Sequence, residues 1–156
     1  IHGISDPNRI HWPQIWLGVS CEDQTTADER IPLLLRTPAA VRWVSYEPAL
    51  GPVDFEKESW PWGANGASAR WLGMLDWIVC GGESGPGARP FHLEWARSTI
   101  KQCQGAGISC FVKQLGSRAC EEVDKMGCLV TKRLKNSKGG DWSEWPEDLR
   151  VREYPI

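Results

Sequence analysis

The side chains with chemical potential recur at four comparable places. Val19-Ser20-Cys21-Glu22 is followed 25 residues later by Val44-Ser45-Tyr46-Glu47, a repeat of the V-S-x-E spacing. Gly81-Gly82-Glu83-Ser84-Gly85 and Lys113-Gln114 come next, each directly after an apolar run. Carboxylates and an ammonium gathered at one point would bind a charged ligand. Crowded carboxylates also acquire shifted pKa values suited to acid–base work. Gly81 and Gly82 would let a ligand approach the backbone closely and expose main-chain N–H groups to it. Plainer readings stand beside these. Glu22 also suits a helix start, where the dipole favours a carboxylate. Lys113 would serve either as half of a structural ion pair or as the contact for an anionic ligand. The three histidines, His2, His11 and His92, lack metal-ligand spacing, and no metal site is assigned. The string GGESGPG has glycines but no Lys-Ser or Lys-Thr after it, so it is not a phosphate loop.

These residues converge only if the elements before them are parallel strands. Four short runs fit that role: Ile15 to Val19, Val41 to Val44, Trp77 to Cys80 and Ile108 to Val112. Each is nearly continuous in apolar residues rather than alternating, as expected for strands covered on both faces. Helical patterns lie between some of them. One covers Thr26 to Leu35, with Asp28 and Glu29 in its first turn. Pro32 would fit best in a first turn, which favours a later start, and Pro38 ends the helix. A second covers Leu93 to Gln104 and is capped by Gly105-Ala106-Gly107. Alternation of this kind predicts an α/β fold of parallel β/α units, with ligands bound at the carboxyl ends of the strands. The segment 51–73, with Pro52, Pro61, Trp60, Trp62 and Trp71, reads as a long surface excursion in place of a regular helix. The tail, 117–156, is less regular: 120–134 suits a short helix or hairpin, Lys138 to Asp141 a turn, and Leu149 to Tyr154 an extended stretch.

Composition narrows the setting. Eighteen basic and 20 acidic residues give a net charge of −2, which predicts no general attraction to nucleic acid phosphates. The basic run Lys132, Arg133, Lys135 and Lys138 reads as a solvated loop. Six cysteines, at 21, 80, 103, 110, 120 and 128, include no C-x2-C pair and suit a reduced cytoplasmic protein. Most of the ten tryptophans are expected in the core or in loop packing. No apolar run approaches the ~20 residues of a membrane helix. A chain that opens on Ile1 rather than Met is expected to be a fragment or a processed product.

Longer strings add a resemblance. W-L-G-V-S-C-E-D-Q, A-D-E-R-I-P-L-L-L-R-T-P-A-A-V-R, S-Y-E-P-A-L-G-P-V-D, D-W-I-V-C-G-G-E-S-G-P-G-A-R-P, F-V-K-Q-L-G and G-G-D-W-S-E-W-P-E-D-L-R-V-R-E occur in that order. Together they resemble the later half of a phage-associated, radical-SAM-like family of unknown function. The resemblance implies a β/α barrel whose amino-terminal half carries a three-cysteine motif for an iron–sulfur cluster that binds S-adenosylmethionine. This chain lacks the motif. On that reading it is the carboxyl-terminal half of a TIM-type barrel and binds no cofactor alone, while the full-length protein would hold S-adenosylmethionine and the cluster. Glu47, Glu83 and Lys113 would then be catalytic, and Ser20, Glu22, Ser45, Gly81, Gly82 and Ser84 would contact the cofactor.

Three function classes follow. The first is half of a radical-SAM-type enzyme acting on nucleic acid in a phage or mobile-element setting. The second is a carboxylate-based hydrolase, and the third a non-catalytic binding or scaffold module. A half barrel would need its amino-terminal half as partner, since an eight-stranded barrel takes ~250 residues. Alone it would leave its first and last strands as bare edges and expose Leu17, Trp43 or Val44, Ile78 or Val79, and Phe111, so self-association is expected.

Overall fold

The computed structural model describes residues 14–59, 69–123 and 129–156. The readings made for His2, His11, Trp60, Pro61, Trp62 and Cys128 lie outside the described residues. Strand β1 (Trp16–Ser20) leads through α1 (Gln24–Arg36) to β2 (Val41–Tyr46). A two-stranded ladder, β3 (Glu58–Ser59) and β4 (Ala69–Arg70), and a 3-10 turn over Trp71–Gly73 precede β5 (Trp77–Gly81). Next come β6 (Phe91–His92), α2 (Leu93–Ala106), β7 (Ser109–Gln114), the pair β8 (Ala119–Val123) and β9 (Leu129–Thr131), and two more 3-10 turns.

All four predicted runs are strands, and they form one parallel sheet in the order β1-β2-β5-β7. Strand order therefore follows chain order without reversal. The mixed α/β class with parallel strands agrees with the sequence reading. Register aligns Gly18, Trp43 and Trp77, and then Ser20, Ser45, Val79 and Phe111, on one face. Val44, Tyr46, Ile78, Cys80, Cys110 and Val112 face the other way, are fully buried, and pack with Ala27, Ile31 and Leu34 of α1 and Ala96, Ile100 and Cys103 of α2. Burying a side chain such as Ile78 contributes about 1.5–3 kcal/mol. Leu17 belongs to this helix-covered layer too: it is in register with the buried Arg42, one residue out of phase with Trp43. Its expected place on the open face is thus corrected by the period of two along a strand.

Helix α1 also departs from expectation. It begins at Gln24, because the Asp23 carboxylate accepts the Thr26 N–H at 2.9 Å while the Thr26 hydroxyl accepts the Asp23 N–H at 3.1 Å, a reciprocal capping box. Pro32 consequently lies inside the helix, and the first turn contains no acid. Helix α2 runs to Ala106, two residues past the expected Gln104, and Gly107 alone caps it, left-handed at φ 70°. The described flanks of the 51–73 excursion are core rather than surface: Val53, Phe55, Trp71 and Leu72 are all buried. Phe55 meets Tyr46 edge-on at 5.7 Å, and the Gln102 side chain bonds the backbone of Val53 and Phe55. These described flanks pack into the core beside the helices.

The expectation of two bare edges fails at β7. Residues 151–153 run antiparallel along it: the Val112 N–H donates to the Val151 carbonyl and the Glu153 N–H to the Cys110 carbonyl, both at 2.9 Å. The open face is aromatic. Trp77 sits among Trp16, Trp43, Phe111 and Tyr154, with ring centroids 5.5–6.1 Å away. Among the described residues no helix is long and apolar enough to cross a membrane.

Candidate functional site

An open cleft of about 410 Å³ lies at the carboxyl ends of β2, β5 and β7, lined by Ser45, Glu47, Pro48, Gly82, Glu83, Ser84, Lys113 and Gln114. Three parallel strands deliver these residues to one place because each run ends at the same level of the sheet. Glu47 follows β2 and extends over β5. A Cβ on Gly81 would stand 2.8 Å from Glu47 Oε1 and 3.1 Å from its Cγ, so the bare backbone of Gly81 makes the floor on which this carboxylate rests. From β7, Lys113 Nζ reaches Glu47 Oε2 at 3.2 Å. The carboxylate side chain is 15% exposed and the lysine 56%, which leaves the cation toward solvent and the anion beneath it. Of the two roles open to Lys113, pairing with a glutamate is what the geometry shows.

Glu83 has a different partner. Arg89 donates to it from Nε at 2.8 Å, from Nη2 at 2.9 Å and from its backbone N–H at 2.9 Å. The intervening loop turns at Gly85 and Gly87, whose φ values of 106° and 78° suit only glycine. The bidentate Arg89 guanidinium, helped by that backbone N–H, holds the Glu83 carboxyl down at about 2. Glu83 in turn raises the Arg89 pKa, and the field of Glu22 adds to the effect.

The remaining candidates divide. Ser45, Gly82 and Ser84 line the cleft with Glu47, Glu83 and Lys113. Ser20, Glu22 and Gly81 are not among its lining residues. Glu22 accepts from Arg30 at 3.2 Å, its N–H donates to Thr26, and Arg30 also donates to the Ser20 carbonyl at 2.7 Å, so this trio organises the start of α1. The main chain of Gly82 is engaged: its N–H donates to the Gln114 carbonyl and its own carbonyl accepts the Gln114 side-chain amide, both at 3.0 Å. Close packing against the Leu115 carbonyl, 2.5 Å from where a Cβ would be, is what requires glycine there. Sequence reasoning missed Arg89 as the partner of Glu83, although the E-S-G-P-G-A-R string holds both ends of a glycine-built turn. It also left out Pro48 and Gln114, each the chain neighbour of a chosen residue.

Among the described residues the thiols are not arranged for ligation. Cys21, Cys80, Cys103, Cys110 and Cys120 are free and buried. Burial pushes the Cys21 thiol up to about 12 and that of Cys80 well above its ordinary value, and a hydrogen bond with Cys110 together with burial raises Cys103. Among the described residues no group of His, Cys, Asp and Glu is placed to hold a metal ion.

The profile of a family described as "Protein of unknown function (DUF5131)" matches residues 3–146. The chain belongs to the DUF5131 family. Nothing among curated proteins or solved structures matches the chain. The family description assigns no reaction.

Proposed function

We propose that this chain is the ligand-holding half of a β/α barrel of the radical S-adenosylmethionine type, and that its cleft takes the amino-acid end of a zwitterionic ligand such as S-adenosylmethionine. The observation that carries this reading is the Glu47–Lys113 pair, 3.2 Å apart at the ends of parallel strands. An α-amino acid group has an ammonium and a carboxylate at similar separation. It would replace the internal pair with two charge-assisted hydrogen bonds, its ammonium to Glu47 and its carboxylate to Lys113. Hydroxyls of Ser45 and Ser84 stand at the same cleft for the polar remainder. Strand order favours a barrel over a doubly wound sheet, because a doubly wound sheet reverses order at its ligand site and this one does not.

The described residues do not fit an iron–sulfur cluster. Cluster ligands are thiolates, and burial holds the Cys21 and Cys80 thiols protonated. No step is therefore routed through a cluster on this chain's own side chains. Acid–base hydrolysis fits less well than binding. A general acid or base works best when it titrates near the operating pH, and Arg89 drives Glu83 the other way, to about 2. The test is a titration followed by amide NMR with S-adenosylmethionine, methionine and adenosine. Shifts at Ser45, Lys113 and Gln114 with the first two ligands, and none with adenosine alone, are expected. Shifts confined to other parts of the sheet would overturn the assignment.

A further inference from the structure

One wall of the cleft, Gly82 to Ser84, runs on past the end of β5. Beyond Gly82 its ties are to the turn that follows β7. The Glu83 carbonyl accepts the Ser117 N–H at 2.8 Å, and the Ser117 hydroxyl accepts the Gly85 N–H at 2.9 Å. That hydroxyl donates in turn to the Ser137 carbonyl at 2.5 Å. One oxygen thus joins the wall to a distant segment of the chain. Behind the wall three backbones stack with no side chain between them. A Cβ on Gly116 would stand 2.5 Å from the Glu83 carbonyl oxygen and 2.8 Å from the Gly82 carbonyl carbon. A Cβ on Gly139 would stand 2.6 Å from the Gly116 carbonyl oxygen. Both glycines are left-handed, at φ 76° and 62°.

The outermost of these layers is anchored to the core. The Gly139 carbonyl accepts both the Leu115 N–H and the Trp145 indole N–H at 2.9 Å, and Trp145 is buried. The Glu144 carboxylate accepts the N–H groups of Lys135 at 2.6 Å and Asn136 at 2.9 Å. The Asn136 side-chain oxygen accepts those of Lys138 and Gly140 at 3.0 and 3.1 Å. The 135–145 loop is therefore closed on itself and seated on Leu115 and Trp145, a firm base for whatever it holds. Gly116, Ser117, Ser137 and Gly139 are not among the lining residues of the cleft. They act on it through Glu83 and Ser84.

From this we infer that Ser117 is a positioning residue of the cleft: its hydroxyl fixes the 82–85 wall against the 135–145 segment, which makes that segment part of the framework of the site. The inference rests on the reading of the cleft as a ligand site and deepens it. The task falls to the hydroxyl because it accepts from the wall and donates to the segment at once. Alanine removes both bonds. Ser117 and Gly85 are exposed, so water replaces the lost partners and little stability goes with them. What goes is direction. The 83–89 turn closes where Arg89 donates to Glu83 at 2.8–2.9 Å, and Gly85 is one of its left-handed corners. Freed at Gly85, the turn no longer presents Arg89 to that carboxylate in one geometry. Threonine keeps the oxygen and with it the wall.

Ser117→Ala, Ser117→Thr and Ser137→Ala in the complete product of the gene test this. Two measurements without ligand read the wall. In Ser117→Ala the Glu83 pKa, followed by carboxyl-carbon NMR, should rise from about 2 toward its ordinary 4.5. The Gly85 amide should exchange at least about threefold faster, while the thermal melt stays within about 3 °C of the parent. Ser117→Thr should match the parent, and so should Ser137→Ala, because only the main-chain carbonyl of Ser137 is used. Binding of labelled S-adenosylmethionine should weaken at least about threefold in Ser117→Ala. The positioning role is overturned if Glu83 and Gly85 are unmoved in Ser117→Ala, if they move while binding does not, or if threonine behaves as alanine does. A melt lowered by more than about 3 °C also overturns it, since the hydroxyl would then support the fold as a whole. A parent that binds no S-adenosylmethionine sinks the reading of the cleft instead, and the two ligand-free measurements tell that failure from this one.

Discussion

Replacing Gly82 with alanine should weaken the fold, whereas the same change at Gly81 should spare the fold and disturb the cleft. At Gly82 the added Cβ would stand 2.5 Å from the Leu115 carbonyl oxygen and 2.9 Å from the Phe91 Cβ. Neither neighbour is the end of a flexible side chain. The Gly82 N–H is bonded to the Gln114 carbonyl at 3.0 Å, so relief requires pulling the two segments apart. Overpacking of this kind typically costs about 1–3 kcal/mol, and a backbone clash belongs in the upper part of that range. For a chain of this size about 2–3 kcal/mol lowers the melting temperature by roughly 4–12 °C. At Gly81 the nearest atom is Glu47 Oε1, at 2.8 Å, which moves by rotating its side chain. That rotation breaks the contact to Lys113, a half-exposed pair worth no more than about 1 kcal/mol. Thermal melts by circular dichroism on the two variants decide the matter. If Gly82→Ala melts within about 1 °C of the parent, or Gly81→Ala is the less stable of the two, the assignment of packing to one glycine and site to the other is wrong.

Other expectations follow from the same contacts. Arg89→Met should return the Glu83 pKa from about 2 toward its ordinary 4.5, read by carboxyl-carbon NMR. Because the folded pKa is depressed, the pair's stabilising contribution is complete above about pH 4.5 and disappears as pH falls through about 2. The acid limb of a stability profile should therefore flatten in Arg89→Met. Asp23→Ala removes one arm of the capping box on α1 and should cost about 1 kcal/mol in urea denaturation. An unchanged midpoint would mean that the cap is not holding the helix. Cys21, Cys80, Cys103, Cys110 and Cys120 should resist a thiol reagent until the chain unfolds, and rapid modification of any of them in the native state would contradict their burial.

Strands were the most legible feature, because buried parallel strands leave continuous apolar runs such as Trp77 to Cys80, and the residues after them had to converge. That logic carried Glu47, Glu83 and Lys113 to one cleft. What the pattern could not convey was which contacts each residue would make. Asp23 outcompeted the acids at 28 and 29 for the helix start because a side-chain acceptor three residues before Thr26 closes a hydrogen-bonded ring, a local geometry that composition does not weigh. Gly81 and Gly82 are adjacent and alike in sequence, yet one clears space for a carboxylate and the other for a carbonyl. Only the neighbouring strands distinguish them. The cover on β7 was invisible for the same reason: pairing of residues 151–153 with 110–112 is long-range, and Leu149 to Tyr154 shows only that the chain is extended.

The most direct test of the account is equilibrium dialysis of labelled S-adenosylmethionine against the complete product of the gene and its Glu47→Gln and Lys113→Met variants. Saturable binding at one site per chain is predicted, weakened at least about tenfold, or 1.4 kcal/mol, by either substitution while the thermal melt stays that of the parent. Absence of saturable binding, or binding that neither substitution weakens, would contradict the claim that the Glu47–Lys113 pair is a ligand site.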